Sequence, residues 1–569
     1  MSYKDNYNYK KIQSIEYKLL SEADSKQNNL FKNLCGCSET TTTTTTNTEC
    51  CTITGVTNVL DYGAVGDGIA DDSDAVYNAI SNCSGQLLFP PGTYKITRTL
   101  NFSNLHNITL QGYGKSSILQ DNIPYPNPIN TLVHLFIFDK TCSNIDINQL
   151  SFNGELSNED SRKYCFGIAG PRFVIKECSF KKFNACVTIR EVDETKNSEE
   201  FMGHECKVLN SLFDGTLGGA AGYGYGVLCV GKRTIVSGNT FTNVGRHDVY
   251  IAGASYPNGG AQYCTVTNNT SYKCGFAPIA LNSYIGQKDG CSFNVVDGNT
   301  IVDFGVVNPT YARGIAISNN SCDNVISNNT IRLSAGGGIV LEGGARFING
   351  EPVLGERPNR NSITGNNIRD CASYHINCIN GSDNIFSGNV LSSIDVTTPT
   401  GRGIQIGKAG DTIPPVSGNI ISDNVYIGLD NAPFVSPVAN NDNDPPFAYI
   451  SNQDRIVEHI SPPPGIGATI KENTGTVFVT AAEFDPANNT GTSGTGWSLY
   501  LPRLSKGKTI TVIRTDSTSK KIAIMTNPDT VKIDGEIPQY ETSAAKFFPP
   551  NEANKRVVLV CDGIGWYSL

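Results

Sequence analysis

Arg246, His247, Asp248 and Tyr250 crowd into one short segment, Gly245-Arg-His-Asp-Val-Tyr, in a chain that has only six histidines. A guanidinium, an imidazole, a carboxylate and a phenol side by side can exchange protons with a bound molecule and grip its hydroxyl or carboxylate groups. The plainer alternative is that Asp248 and His247 fix a turn by local hydrogen bonds. A second candidate joins Glu342 to His375, close enough to share a proton if their strands are neighbours, with Arg313 beside them. Its alternative is a solvated surface glutamate. The acidic run Glu191-Val-Asp193-Glu194 reads as a solvated loop.

Whether these side chains meet depends on the elements that carry them, and a repeat sets those elements. Asn239, Asn269, Asn299 and Asn329 stand 30 residues apart, each followed by Thr, and the pattern continues more loosely through Asn366, Asn389 and Asn424. Short β-branched runs at such a period mean one supersecondary unit per repeat, stacked on its neighbours. Stacking places the asparagines above one another, where each can bond to the amide and backbone of the next coil. The reading is an all-β chain wound as a parallel β-helix.

Within that helix the apolar pairs Val227/Cys229, Val249/Ile251, Ile279/Leu281, Ile315/Ile317, Ile339/Leu341, Ile376/Cys378 and Ile404/Ile406 align as inward positions. Their neighbours are then expected outside: Asp248 and Tyr250, Asn282, Arg313 and Ser318, Glu342, His375 and Asn377, Arg402 and Gln405. Coils lie about 4.8 Å apart, so this column runs for roughly 30 Å, enough for several sugar units. Candidate catalytic residues are Glu342, His375, Arg313, Asp248 and His247. Candidate substrate contacts are Tyr250, Asn282, Asn377, Arg402 and Gln405. Hydrolysis needs two carboxyl groups about 5–9.5 Å apart. Asp248 and Glu342, three coils apart, are separated by about 14 Å, so a hydrolase would need a further carboxylate, for example from a neighbouring subunit. Elimination on a uronic acid needs its carboxylate neutralised and a base at the α-carbon, which Arg313 and His375 around Glu342 would supply without a metal.

Composition narrows the function classes. A net charge of −9 leaves no basic stripe for nucleic acid. No apolar run approaches the roughly 18–20 residues of a membrane span, and the opening MSYKDNYNYKK has no apolar core of a secretion signal. The 18 cysteines are dispersed along the coils and read as small buried hydrophobes, fitting a protein made in a reducing cytosol. Cys35, Cys37, Cys50 and Cys51 form the one cluster, open to a disulfide or a metal, but without the spacing of a zinc site. No cofactor or resident metal is expected.

Residues 1–55, polar and ending in a Thr tract, read as an arm. Asp71 and Asp72 stand where a helix N-cap belongs, and Ala75, Val76, Ala79 and Ile80 recur at helical spacing. The run DYGAVGDGIADDSDAVYNAI followed by LLFPPGTYKI resembles the opening of the pectate-lyase-like superfamily, in its branch of phage tailspikes and polysaccharide depolymerases. The resemblance covers roughly residues 56–430. It implies a right-handed parallel β-helix plugged by the short helix, but no particular reaction, since the superfamily holds lyases, hydrolases and non-catalytic binders. Residues 431–465, rich in Pro, Asn and Asp, read as a linker, and 466–569 as a small C-terminal β-domain for trimerisation or glycan contact. The ending VVLVCDGIGWYSL looks like a terminal module of phage fibres and spikes. The resemblance thus implies a virion tailspike-like homotrimer that binds and cleaves a host surface polysaccharide, with the arm joined to other virion proteins. A non-catalytic receptor-binding or structural spike of the same fold is the alternative.

Overall fold

The computed structural model describes residues 56–125, 132–154, 162–190, 203–216, 224–253, 260–283, 290–343, 357–393, 402–407 and 418–427, with Leu429, Leu501 and the strands from 434 onward. The expected arm 1–55, its cysteine cluster and the acidic run 191–194 lie outside these residues, except for whatever begins at Val56.

Each coil contributes one short strand to each of three parallel sheets. The first sheet has 14 strands, from Val56–Asn58 to Ala448–Ile450, and the third has 12, from Leu100–Phe102 to Phe434–Val435. The second runs from Asp67–Asp71 through strands such as Thr240–Thr242 and Thr330–Ser334 to Arg455–Ile460. Parallel strands joined by crossovers in one sense give a right-handed coil. The chain is a right-handed parallel β-helix, as the repeat requires.

The corner between the first and second sheets explains the sequence motif. The residue before each ladder asparagine (Gly238, Asn268, Gly298, Asn328, Gly365, Gly388 or Asp423) takes a left-handed conformation with φ between 54° and 69°. Glycine, asparagine and aspartate tolerate that region best, hence the Gly-Asn, Asn-Asn and Asp-Asn pairs. The next residue turns inward. Asn299 donates its amide and its backbone N–H to Oδ1 of Asn329 (2.9 and 3.0 Å) and caps the carbonyl of Val266 (2.9 Å). The same bonds link Asn239, Asn269, Asn299, Asn329, Asn366, Asn389 and Asn424 without a break. A second ladder, Asn294, Asn324, Asn361, Asn384 and Asn419, does the same work at the third-to-first corner.

Between the sheets the core changes character along the axis. In the N-terminal half, Phe152, Phe180, Phe213 and Phe241 stack with centroids 5.2, 4.9 and 4.7 Å apart. The next position in that column is Ser271, and after it Ile301 and Ile331. The N-terminal end is closed by helix α1 (Ser73–Ser81), whose Val76, Ala79 and Ile80 are buried while Tyr77 stacks on Phe102 at 5.4 Å. Asp72 flanks α1 but does not cap it: its carboxylate accepts from the backbone of Val65 (2.7 Å) instead, and Asp71 takes the Ser73 N–H (3.0 Å). The described cysteines are buried as small core residues, with no disulfide among the described residues.

Past residue 430 the pairing does not stop. Ala448–Ile450 and Arg455–Ile460, inside the stretch expected to be a linker, pair in parallel with Asn419–Ser422 and Val425–Ile427. The second sheet continues through Thr474–Val479 to Thr509–Arg514, and there antiparallel partners enter, Arg556–Cys561 and then Trp566–Ser568. A smaller sheet holds Gly467–Thr469, Gly496–Tyr500, Lys521–Met525 and Lys546–Phe548. Proline-rich spacing masks strand alternation here, which is why composition suggests a break where the ladder persists. Among the described residues no helix is long and apolar enough to cross a membrane.

Candidate functional site

The third sheet carries the candidate residues, and its register matches the alignment read from sequence. Val227, Val249, Ile279, Ile315, Ile339, Ile376 and Ile404 lie one above another, as do Cys229, Ile251, Leu281, Ile317, Leu341, Cys378 and Ile406.

Two candidates do not face outward. Asp248 is 2% exposed and His375 is fully buried. Both occupy the register position of Gly226, Gly314 and Gly338, where a Cβ would meet the core side chains Phe241, Ile331 or Ile368. The reason is a local break of the two-residue period where each strand enters the sheet. Asp248 and Val249, like His375 and Ile376, are consecutive and both buried, a break that alternation alone misassigns. His375 bonds through Nε2 to the Ser392 carbonyl (2.8 Å), inside the helix, so it is not brought to Glu342 on the outer face. Asp248 fills space beside Ser271, the place in the phenylalanine column where the ring is missing. Burial pushes its carboxyl up to about 7, and the nearby Ser271 hydroxyl and Cys274 thiol offset only part of that.

The remaining candidates form one strip. Tyr225, His247 and Tyr250 stack, with centroids 5.0–5.9 Å apart. Arg246 lies over Tyr225 and Phe276 at 6.0 and 5.5 Å. His247 Nδ1 donates to the Ala277 carbonyl (2.6 Å), leaving Nε2 to accept from Arg246 (3.3 Å). Burial, with the Arg246 charge second, pushes the imidazole down to about 3, so it is neutral at ordinary pH. Its ring signals are therefore expected to show no titration step between about pH 5 and 8 in an NMR titration, where a free histidine would show one. One coil on, Asn282 donates to the Tyr250 hydroxyl (2.8 Å) and accepts from Asn319 (2.9 Å).

Next to the stack, Ala277, Ala280 and Ala316, only 2–5% exposed, make a small buried apolar shelf bordered by Tyr250. Arg313 bonds to Glu342 at 2.7 Å, both part-exposed, and the guanidinium also lies over the half-exposed Tyr311 ring at 5.4 Å. Further along, Asn377 and Gln405 continue the outward column of Tyr250, Ala280, Ala316 and Val340. The Oδ1 of Asn377 is buried without a hydrogen-bond partner among the described residues. Arg402 sits in strand Arg402–Ile406, and its side chain lies outside the described residues. Among the described residues of the third sheet's strands, Glu342 is the one carboxylate on the outer face. No group of three or more His, Cys, Asp or Glu suited to a metal occurs among the described residues.

The aromatic stack and the alanine shelf went unremarked in the sequence. Tyr225 carried a signal, since Tyr225-Gly226-Val227 aligns with His247-Asp248-Val249. At its outer margin the strip carries the Tyr250 phenol, the Asn282 amide and the Arg313–Glu342 pair.

Residues 56–294 match the profile of the family described as rhamnogalacturonase A/epimerase, pectate lyase-like. No curated protein matches the chain by sequence. Among solved structures it is similar to the A-module of a mannuronan C-5 epimerase from Azotobacter vinelandii, with 14% identity, 69% of this chain and 99% of that one covered, and a TM-score of 0.46. It is also similar to a mutant tailspike of E. coli bacteriophage HK620 in complex with a hexasaccharide, with 12% identity, 90% and 92% covered, and a TM-score of 0.47. A third is an α-1,3-glucanase catalytic unit from Streptomyces thermodiastaticus, with 15% identity, 66% and 70% covered, and a TM-score of 0.45. At these values nothing about activity passes from them to this chain. With its capping helix and its two asparagine ladders, the chain is a right-handed parallel β-helix protein, and its residues 56–294 are similar to the pectate-lyase-like family profile.

Proposed function

We propose that the protein is a tailspike-like virion component that binds a host surface polysaccharide along the outer face of the third sheet. The observation that carries this reading is the run of part-exposed Arg246, Tyr250 and Asn282 with the Arg313–Glu342 pair along the outer face, backed by the buried Tyr225–His247 stack. Stacked rings bind sugar faces, while Asn282, Asn377 and Gln405 offer donors and acceptors to hydroxyls. An arm anchored to other virion proteins and a homotrimeric state belong to the same reading, supported by the tailspike-like opening motif and by no membrane-spanning helix among the described residues.

Cleavage, where it occurs, fits elimination better than hydrolysis. Among the described strands the outer face offers a single carboxylate, Glu342, which would serve as the base while Arg313 leaves it to grip a uronate carboxylate. His247, held neutral, serves as a positioning and stacking group. The non-catalytic reading rests on the same single carboxylate, because a spike that only binds needs no acid–base pair.

The test is incubation of the intact protein with capsular and surface polysaccharides, following retention, chain length and the ultraviolet absorbance of unsaturated uronates. Retention with shortening and new absorbance indicates elimination, and shortening without absorbance indicates hydrolysis. Retention alone leaves the binding spike, and no retention on any host glycan ends the proposal. Tyr250→Ala and Arg313→Ala are each expected to weaken retention about 10-fold or more, since each removes a stacking or charge-assisted contact of about 1–3 kcal/mol, with the circular dichroism spectrum unchanged.

A further inference from the structure

Where its strands begin, the outer face of the third sheet is edged by the connections from the second sheet. These span residues 243–246, 273–278 and 305–312, then only 335–336 and 372–373. The longest lies on its predecessor: the Val306 N–H donates to the Cys274 carbonyl (3.4 Å) and the Val307 N–H to that of Gly275 (3.1 Å). It is pinned to its successor by the Gly337 N–H, which donates to the Ala312 carbonyl (3.0 Å). A Cβ at Gly305 or Gly336 would collide with Ala312, so this connection is held in one place. Yet it exposes three large apolar side chains, Val306 (53%), Val307 (49%) and Tyr311 (53%). Half-buried Phe276 continues the patch one coil back. Apolar surface mounted on a fixed loop marks a contact site. Guanidiniums close both of its ends, Arg246 over Phe276 at 5.5 Å and Arg313 over Tyr311 at 5.4 Å. In a chain of net charge −9, the five connections hold two charged residues, Arg246 and Lys273, and no carboxylate. The neighbouring acids are Asp303, on the strand that leads into the longest connection, and Glu342, which already takes Arg313 at 2.7 Å.

We infer that this rim seats a glycan that carries a carboxylate on every second sugar. The carboxylates meet Arg246 and Arg313, and the neutral sugar between them rests on Phe276, Val307 and Tyr311. Spacing and charge select that class. Arg246 and Arg313 enter third-sheet strands two coils apart, which is about 9.6 Å, roughly the span of two sugar units. A guanidinium grips a carboxylate in a fork, whereas the apolar middle suits a C–H face or an acetyl methyl and penalises a charge. The inference rests on the glycan binding proposed above; it names the class of glycan and adds Phe276, Val307 and Tyr311 to the residues that touch it.

The experiment runs the full chain by affinity electrophoresis through gels of known polymers. Hyaluronate, heparosan and unsulfated chondroitin alternate a uronate with a neutral acetylated sugar, polygalacturonate is acidic at every unit, and dextran is neutral. Any glycan retained in the preceding assay is run before and after reduction of its carboxyl groups. Retention by an alternating polymer or by the untreated glycan is expected, about 10-fold or more above that by dextran or the reduced form. Tyr311→Ala and Val307→Asp are each expected to weaken it about 10-fold, and Tyr311→Phe to keep it, with circular dichroism unchanged. Equal retention by reduced and untreated polymers overturns the acidic class, and polygalacturonate holding as tightly as the alternating polymers overturns the alternation; both leave glycan binding standing. Acid-dependent retention indifferent to Tyr311→Ala and Val307→Asp overturns the rim, whose apolar residues then have another occupant. No retention by any polymer ends the inference together with the glycan-binding reading. Should Val307→Asp fail to fold, Tyr311→Ala against Tyr311→Phe decides the same question.

Discussion

Replacing Asn329 by leucine is expected to abolish soluble expression at ordinary temperature, or to lower the unfolding midpoint by more than any outward substitution on the same coil. The side chain is fully buried and works in three directions. Its Oδ1 accepts two N–H groups of Asn299, its amide donates to Val296 and Asn366, and its own backbone N–H depends on Asn366 (3.0 Å). Leucine leaves a buried amide, a buried backbone N–H and a buried carbonyl unsatisfied, each penalised by about 1–3 kcal/mol. A loss of about 4 kcal/mol or more is the expected size. Because Asn299 and Asn329 share their bonds, the double variant Asn299→Leu/Asn329→Leu should lose less than the sum of the two single losses. Thermal denaturation with a solubility assay reads both. A leucine variant within a degree or two of wild type would show that the ladder is not what holds the coils in register.

The second large effect concerns pH. Asp248 has its carboxyl raised from 3.8 to about 7 by burial, so the folded state holds a proton that the unfolded chain has released. Stability therefore falls as pH rises from about 4 to about 7 and stays low above that, the reverse of the usual behaviour of a paired carboxylate. A shift of about 3 units at 1.36 kcal/mol each gives a penalty of up to about 4 kcal/mol at neutral pH. Asp248→Asn keeps the shape without the charge. Its unfolding midpoint should lie above that of wild type at pH 8 and close to it at pH 4, while Asp248→Leu should behave alike if charge rather than hydrogen bonding is the cause. Parallel pH curves for wild type and the asparagine variant would refute a buried, proton-holding carboxyl.

Both expectations depend on features that the sequence revealed unequally. The first ladder was readable because a buried asparagine after a left-handed residue recurs at a period of 30. The second was equally present: Asn294, Asn324, Asn361, Asn384 and Asn419 each stand five residues before a first-ladder asparagine. Its signal is diluted because Thr234 and Cys264 fill the same position in earlier coils. Register on the third sheet followed from the apolar pairs, since one face is wholly buried and a one-residue slip would expose it. Orientation at the strand entrances did not follow, because there two consecutive residues are buried and alternation fails: Asp248 and His375 look outward by parity and point inward in space. What betrays them is the run of glycines at the same position in other coils, Gly226, Gly314 and Gly338, visible only once the coils are aligned.

The tight corner between the first and second sheets has a last consequence. From Ser237 to Val425 the connection is two residues, one left-handed and one ladder member, so nothing can be inserted in these coils without severing the chain of amides. The ladder intervals nevertheless vary, 30, 37, 23 and 35 residues. All that variation is taken up at the other two corners, which frame the third sheet. One corner thus acts as a fixed spine, while the two corners that flank the third sheet take up the insertions, so the surroundings of its outer face can be rewritten without retuning the stack that supports them.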